Sequence, residues 1–185
     1  MFDNQTEKFI DVLGSVAETM ITNNYADHIY TLSKGISWIT FQNECAAIRI
    51  DDQLCKQGKG ITLYSSFKQN LKGDKMYTVF EDSEGDEWIL TNKGISIIGK
   101  KQVDSDFPFQ YIKEADGIIY LVSQSDKLAS YNFKTRQFKF IEIPYHVSMI
   151  NEVKKFDSNT LLLATDNGLI IYKIKEKEFQ LIDIR

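Results

Sequence analysis

Five carboxylates crowd one short stretch of this 185-residue chain: Glu81, Asp82, Glu84, Asp86 and Glu87. Paired carboxylates can exchange protons with a substrate or hold Ca²⁺. Their order is not the alternating Asp/Asn ladder of a Ca²⁺ loop, so the pattern favours a solvated acidic turn. His28 and His146 are the only histidines. A zinc site would want further nitrogen or sulfur ligands at tight spacing. A nucleophilic triad would want an elbow such as Gly-x-Ser-x-Gly, which the sequence lacks. Gly58-Lys59-Gly60 precedes a strand-like run rather than a helix, so it does not read as a phosphate loop. Cys45 and Cys55 lack the second pair that zinc would need, which leaves free thiols or one disulfide as the two readings. Trp38, Trp88 and Tyr120 could form an aromatic platform for a sugar. The same residues could instead fill the space between packed sheets, and large buried areas of this kind favour packing. The reading assigns no catalytic residue, no metal site and no cofactor.

The elements that would position these residues come from an internal repeat. Residues 81–95 read as a strand end, an acidic turn closed by Gly85, a strand carrying Trp88, an Asn/Gly turn at Asn92 and Gly94, then another strand. Weaker echoes occur at Gly35-Ile36-Ser37-Trp38, at Gly117-Ile118-Ile119-Tyr120 and over 157–168, where Leu162 takes the aromatic slot. The anchors at 38, 88, 120 and 162 are spaced by about 41 residues on average, the period of a four-stranded propeller blade. A second marker closes each repeat, as Tyr131…Phe138 and Tyr172…Phe179. The opening Phe2…Phe9 looks like the same closing element, so the chain is expected to begin in the last strand of a preceding blade.

Strands are predicted near 29–33, 36–41, 46–50, 61–66, 76–80, 87–91, 95–98, 109–113, 118–123, 128–133, 137–143, 149–154, 161–165, 169–174 and 179–184. Residues 6–22 are ambiguous between a helix and strand-turn-strand, with the repeat register favouring the latter. The composition agrees with sheet: 12 Phe, 9 Tyr and 2 Trp, against only two prolines. A net charge of −4 with scattered lysines argues against nucleic acid, which needs clustered cations. No apolar run is long enough to span a bilayer, and the N-terminus lacks the apolar region of a signal peptide. Asn4-Gln5-Thr6 matches a glycosylation acceptor and Asp166-Asn167-Gly168 a tight turn.

The run Glu81-Asp82-Ser83-Glu84-Gly85, followed by Trp88, Thr91 and Gly94, resembles the two-component regulator propeller repeat. Residues 157–179 and 110–138 resemble it less closely. Residues 29–50 depart from it, lacking the Asp-x-x-Gly turn and placing Phe41 where the repeat has Thr. Such repeats fill the extracytoplasmic sensor region of hybrid two-component histidine kinase/response regulators of gut Bacteroidetes. The resemblance implies a β-propeller, a periplasmic location and a part in sensing glycan breakdown products. It transfers no binding residues, because the motif is structural.

The expected fold is all-β, an incomplete propeller of about four four-stranded antiparallel blades. A leading strand occupies 1–15, and the blades occupy about 16–66, 67–106, 107–144 and 145–185. The expected function is ligand sensing and signal transduction, with an oligosaccharide as ligand. The loop-proximal Tyr25, Tyr64, Tyr111 and Tyr145 are the candidate contacts, and the ligand-binding residues stay otherwise unknown. A structural or dimerisation module without its own ligand is the alternative, and an enzyme on a propeller the third reading. Expected partners are self-association or the remaining blades of a parent propeller, with no nucleic acid and no membrane contact by this segment.

Overall fold

The computed structural model describes residues 2–3, 8–9, 25–42, 46–65, 71, 73–100, 103–104, 108–132, 135 and 137–182. Asn4-Gln5-Thr6, Cys45 and most of the ambiguous 6–22 segment lie outside the described residues. The chain divides into two compact units, Met1–Met76 and Tyr77–Arg185.

In the first unit, β1 (Phe2–Asp3) pairs antiparallel with β2 (Lys8–Phe9), Phe2 opposite Phe9. A four-stranded blade follows in simple meander order: β3 (Ala26–Thr31), β4 (Ile36–Phe41), β5 (Ala47–Asp51) and β6 (Ile61–Tyr64). Side chains alternate between the two faces of a strand. On β4, Trp38 and Thr40 are buried on one face, and Trp38 packs 4.8 Å from the ring of Tyr64. The other face is apolar: Phe41, Ala46 and Ile48 are buried against Ile39, Ile50, Ile61 and Leu63. Between β5 and β6 the chain makes a single helical turn, Asp52–Cys55, which the strand pattern did not foretell. Asp51 caps it by accepting bonds from the backbone N–H groups of Gln53 and Leu54.

The second unit holds three more blades, each with its strands in sequence order. The first of them contains β7 (Met76–Glu81), β8 (Glu87–Thr91), β9 (Gly94–Ile97) and the short β10 (Val103–Asp104). The next contains β11 (Phe109–Ala115), β12 (Ile118–Ser123), β13 (Leu128–Asn132) and β14 (Gln137–Ile141). The last contains β15 (Ile150–Asp157), β16 (Thr160–Thr165), β17 (Gly168–Lys173) and β18 (Glu178–Ile182). The closing hairpins share one register, Tyr131 opposite Phe138 and Tyr172 opposite Phe179, the spacing also seen at Phe2 and Phe9.

The sequence of β12 explains how these three sheets stack. It is apolar at successive positions, so it buries both faces. Ile119 and Leu121, with Ala129 and Tyr131, meet Trp88, Leu90, Ile95 and Ile97 of the preceding sheet. Tyr120, Val122 and Leu128 meet Leu161, Leu163, Ile170 and Tyr172 of the following sheet. Each sheet thus directs its anchor, Trp88 or Tyr120, onto a pair of aliphatic residues on the second strand of the next. Face-to-face packing of twisted sheets is the geometry of propeller blades.

Burial at this interface has a titration consequence. Desolvation, helped by Tyr172 and Asp116, pushes the Tyr120 phenol up to about 12. The unfolded tyrosine ionises near pH 10, so between about pH 10 and 12 the folded chain holds more protons than the unfolded one. Stability is therefore complete below about pH 10 and falls as pH rises towards 12. Denaturation midpoints measured across that window should decline, and less steeply in Tyr120→Phe. Identical slopes for the two proteins would refute the assignment. Tyr111 and Tyr172 are raised as well and leave a residual slope in the variant.

Candidate ligand-binding surfaces

The acidic stretch is a structural turn, built differently from the solvated one expected. Asp82 is 5% exposed. One of its oxygens accepts the backbone N–H groups of Glu84 and Asp86, at 3.0 and 2.8 Å. The other accepts the indole N–H of Trp88 at 2.8 Å. Gly85 turns the chain at φ +84°, a conformation other residues resist. The Asp-x-x-Gly and Trp of the motif are therefore one hydrogen-bonded unit, because a buried carboxylate needs its acceptors filled. Asp86 pairs with Lys100. Ser83 of the same turn donates its N–H to Glu114 on β11 at 2.7 Å, tying neighbouring blades together.

The Thr-x-x-Gly turns work in the same way. Thr91 Oγ1 donates to the carbonyl of Gly94 and accepts the N–H of Lys93. Thr165 repeats this with Gly168 and Asn167. Asp166 adds a tertiary link, accepting the N–H groups of Ser148 and Met149. The Met149 and Ser148 bonds hold its carboxyl below the ordinary range.

The residues weighed for chemistry fall in separate places. Asp27 lies 3.2 Å from His28 on β3, where both are exposed. His146 lies in the connection before β15, its carbonyl bonded to the Asn167 amide. Cys55 is a free, half-buried thiol, pushed up first by burial and then by Asp52 and Asp51, which disfavours a reactive thiolate. Among the described residues no cluster of three or more His, Cys, Asp or Glu could hold a metal ion. Trp38, Trp88 and Tyr120 are all buried, which removes them as a sugar platform. Tyr64 leans on Trp38 and Tyr25 is 74% exposed. Tyr111 donates to the carbonyl of Asn151, and Tyr145 to that of Phe179. Tyr111 thus joins β11 to β15 of the next sheet, and Tyr145 ties the connection before β15 to β18.

Two concave surfaces of that unit are lined by described residues. The larger, about 750 Å³, lies where the β13–β14 hairpin meets the acidic turn before β8. Half-buried Phe138, its ring tilted against that of Tyr131 at 5.1 Å, gives it an apolar floor. Ser130, Asn132, Gln137, Lys139 and Glu84 give it a polar wall. The smaller, about 310 Å³, lies at the other end of β11 and is lined by Gln110, Gln124 and three serines. Both grooves escaped the sequence reading. The only local signal for the larger was the Tyr131…Phe138 spacing, which marks a hairpin and not a groove.

Four-stranded meander sheets, stacked face to face in the second unit with a large anchor on the second strand, define β-propeller blades. No family model matches the sequence, and no curated protein matches it. Among solved structures, the chain is similar to the extracellular domain of BT3049, a proposed hybrid two-component system of B. thetaiotaomicron. That match has a TM-score of 0.66 and 20% identity, over 100% of this chain and 24% of the other. It is similar to the extracellular domain of BT4673 from the same organism, with a TM-score of 0.67 and 18% identity, over 87% of this chain and 23% of the other. It is also similar to virginiamycin B lyase of Staphylococcus aureus, with a TM-score of 0.67 and 19% identity, over 84% of this chain and 54% of the lyase. The chain thus spans about a quarter of the two extracellular domains. At these identities the likeness is one of fold: the chain is a partial propeller, all-β, with four four-stranded blades. Among the described residues no helix is long and apolar enough to cross a membrane.

Proposed function

We propose that the chain is part of the extracytoplasmic sensor propeller of a hybrid two-component system and that it binds an oligosaccharide. The observation that carries this reading is the shared blade architecture over the entire chain with one such extracellular domain. The larger groove supports the ligand class. Sugars present an apolar C–H face and a ring of hydroxyls, and here Phe138 lines the same groove as two amides, a hydroxyl and two opposite charges. Ligand that binds one arrangement of the blades better than another would bias the attached kinase by that difference in affinity. The segment itself is read as non-catalytic.

The test is a thermal-shift and calorimetric screen of the purified chain against oligosaccharides of defined composition. One glycan class should stabilise it, by about 2.7 kcal/mol at a hundredfold excess over Kd. Gln137→Ala combined with Lys139→Ala should weaken that binding at least about tenfold, the loss of roughly one net hydrogen bond or more. A screen without a binder, or a binder indifferent to the double variant, would remove the groove from consideration.

The alternative is a scaffold that dimerises and touches no small ligand. What favours it is the last blade. Leu162, Leu169 and Ile171 stand only half-buried on the face where the equivalent Trp88 and Tyr120 are covered.

A further inference from the structure

We propose that the smaller groove, at the start of β11, is a second ligand site, which takes one ring of an uncharged sugar. It lies at the opposite end of β11 from the larger groove and does not depend on it.

A break in strand pairing builds the site. Phe109 faces Ser123 and Tyr111 faces Val122, so Gln110 is one residue more than the partner strand can match. Such a bulge re-aims the side chain it carries. Asn151 on β15 and Asp27 on β3 are extra residues at the same point of their strands, so the device belongs to the repeat. What is particular to β11 is the residue it meets. The Gln110 amide N–H donates to the amide oxygen of Gln124 at 3.1 Å. That bond occupies one oxygen and one N–H. The two amides keep, side by side, an oxygen that accepts and N–H groups that donate. Turning both amides over would leave the same two functions.

The frame around this pair is fixed before any ligand arrives, which lowers the cost of binding. The Gln124 carbonyl accepts the N–H of Ile150 at 2.7 Å, and the Ser123 N–H donates to the Lys127 carbonyl at 2.9 Å. Ser123 is 2% exposed, and its hydroxyl accepts the N–H of Lys127 and lies 2.9 Å from that of Ser125. It thereby holds the exposed Ser125 hydroxyl at the mouth. The blade that carries the site has a sheet packed on each of its faces, so the groove does not arise from a missing neighbour.

The lining sets the ligand class. Two glutamines, three serines, Pro108 and Met149 form it, and none of these is charged. A hydroxyl both donates and accepts, so adjacent ring hydroxyls match an amide oxygen beside an amide N–H. Pro108 and Met149, both exposed, offer carbon to a C–H face. Asp166 accepts the N–H groups of Ser148 and Met149, and these bonds keep it ionised beside one wall. Asp126, next to Ser125, is offset by Lys127 at 3.0 Å. The field of Asp166 therefore disfavours uronic acids and sulfated sugars. The volume, about 310 Å³, lies at the low end of small-molecule sites, about 300–1,000 Å³, and suits one ring rather than a chain.

The experiment is saturation-transfer NMR with an amide-shift titration on the full 185-residue chain. Glucose, galactose, mannose and xylose are the neutral probes, and glucuronate is the charged one. At least one neutral sugar should bind with a millimolar Kd and shift the signals of Gln110 and Gln124. Glucuronate should bind at least about tenfold more weakly. Gln124→Ala should also weaken binding at least about tenfold. Its far-ultraviolet spectrum should not change, because the side chain is exposed and the bonds that hold its loop are main-chain. Gln137→Ala with Lys139→Ala, in the larger groove, should leave this binding intact, so the two sites can fail separately. The proposal is overturned if no neutral probe binds below about 50 mM, or if either glucuronate or the Gln124→Ala variant binds within about tenfold of the reference. Loss of binding in the Gln137→Ala, Lys139→Ala protein would overturn it too, by moving the sugar to the larger groove.

Discussion

Trp88→Ala should destabilise the second unit by about 3–5 kcal/mol, the usual cost of emptying a fully buried aromatic site. Three observations set the expectation. Trp88 is 0% exposed. Its ring meets Tyr131 edge-on at 5.4 Å, inside the core shared with Ile119 and Leu121. Its indole N–H fills the second oxygen of buried Asp82. Truncation therefore opens a cavity and strands an acceptor at once. Trp88→Phe separates the two effects: most of the volume stays while the hydrogen bond is lost, and the expected cost is about 1–3 kcal/mol. Chemical denaturation followed by tyrosine fluorescence and circular dichroism gives both numbers. An alanine variant within about 1 kcal/mol of wild type would mean that the turn and the core are not coupled as described.

Gly60→Ala should be the most damaging single-methyl change in the first unit. Gly60 sits at φ +109°, a region L side chains rarely adopt, and an added Cβ would lie 2.6 Å from the carbonyl oxygen of Asp51 and 2.7 Å from the backbone nitrogen of Cys55. Those atoms belong to the helical turn and its capping residue, and the Asp51 N–H also donates to the Gly60 carbonyl, so the corner cannot open at one atom alone. Strain plus clash should cost about 3 kcal/mol or more. Gly58 is the control: its φ is +71°, and nothing lies within 4 Å of a Cβ there. Gly58→Ala should cost only the left-handed penalty, about 1–2 kcal/mol. Thermal melts of the two variants side by side check the claim, and equal losses would contradict it. The Gly58-Lys59-Gly60 run thereby finds its purpose in closing a tight corner.

How much of this was legible depends on how local each cause is. All fifteen strands placed from alternation and turn residues coincide with observed strands, their ends differing by a few residues. The causes act within one strand and one turn: Gly85 and Gly94 for φ, Thr91 and Thr165 for the hydroxyl that closes the turn. Even the blade anchors were visible, because a repeated interface demands a large residue at a repeated place. The elements that were missed are short, and two of them show why. The turn Asp52–Cys55 is too short to show helical periodicity, and β10 is two residues long.

The burial of Asp82 was not legible, since five acids within the stretch 81–87 look solvated until Trp88 folds over one of them. The four loop-proximal tyrosines were chosen by position. Only the folded chain shows Tyr111 reaching Asn151, 40 residues away, and Tyr145 reaching Phe179. The grooves depend on how the hairpin of one sheet approaches the turn of another, and no sequence period encodes that approach.

From residue types and spacing alone came the all-β class, the blade period, the anchor positions and the propeller resemblance. The class follows from side-chain alternation and backbone φ within single strands and turns, and the period and anchors from the recurrence of those local patterns along the chain. The tertiary structure alone decided which face of each strand is covered, which carboxylate is buried and which side chains line the grooves. Those outcomes are set by contacts between sheets, where burying apolar area and filling hydrogen bonds across distant residues outweigh any local preference.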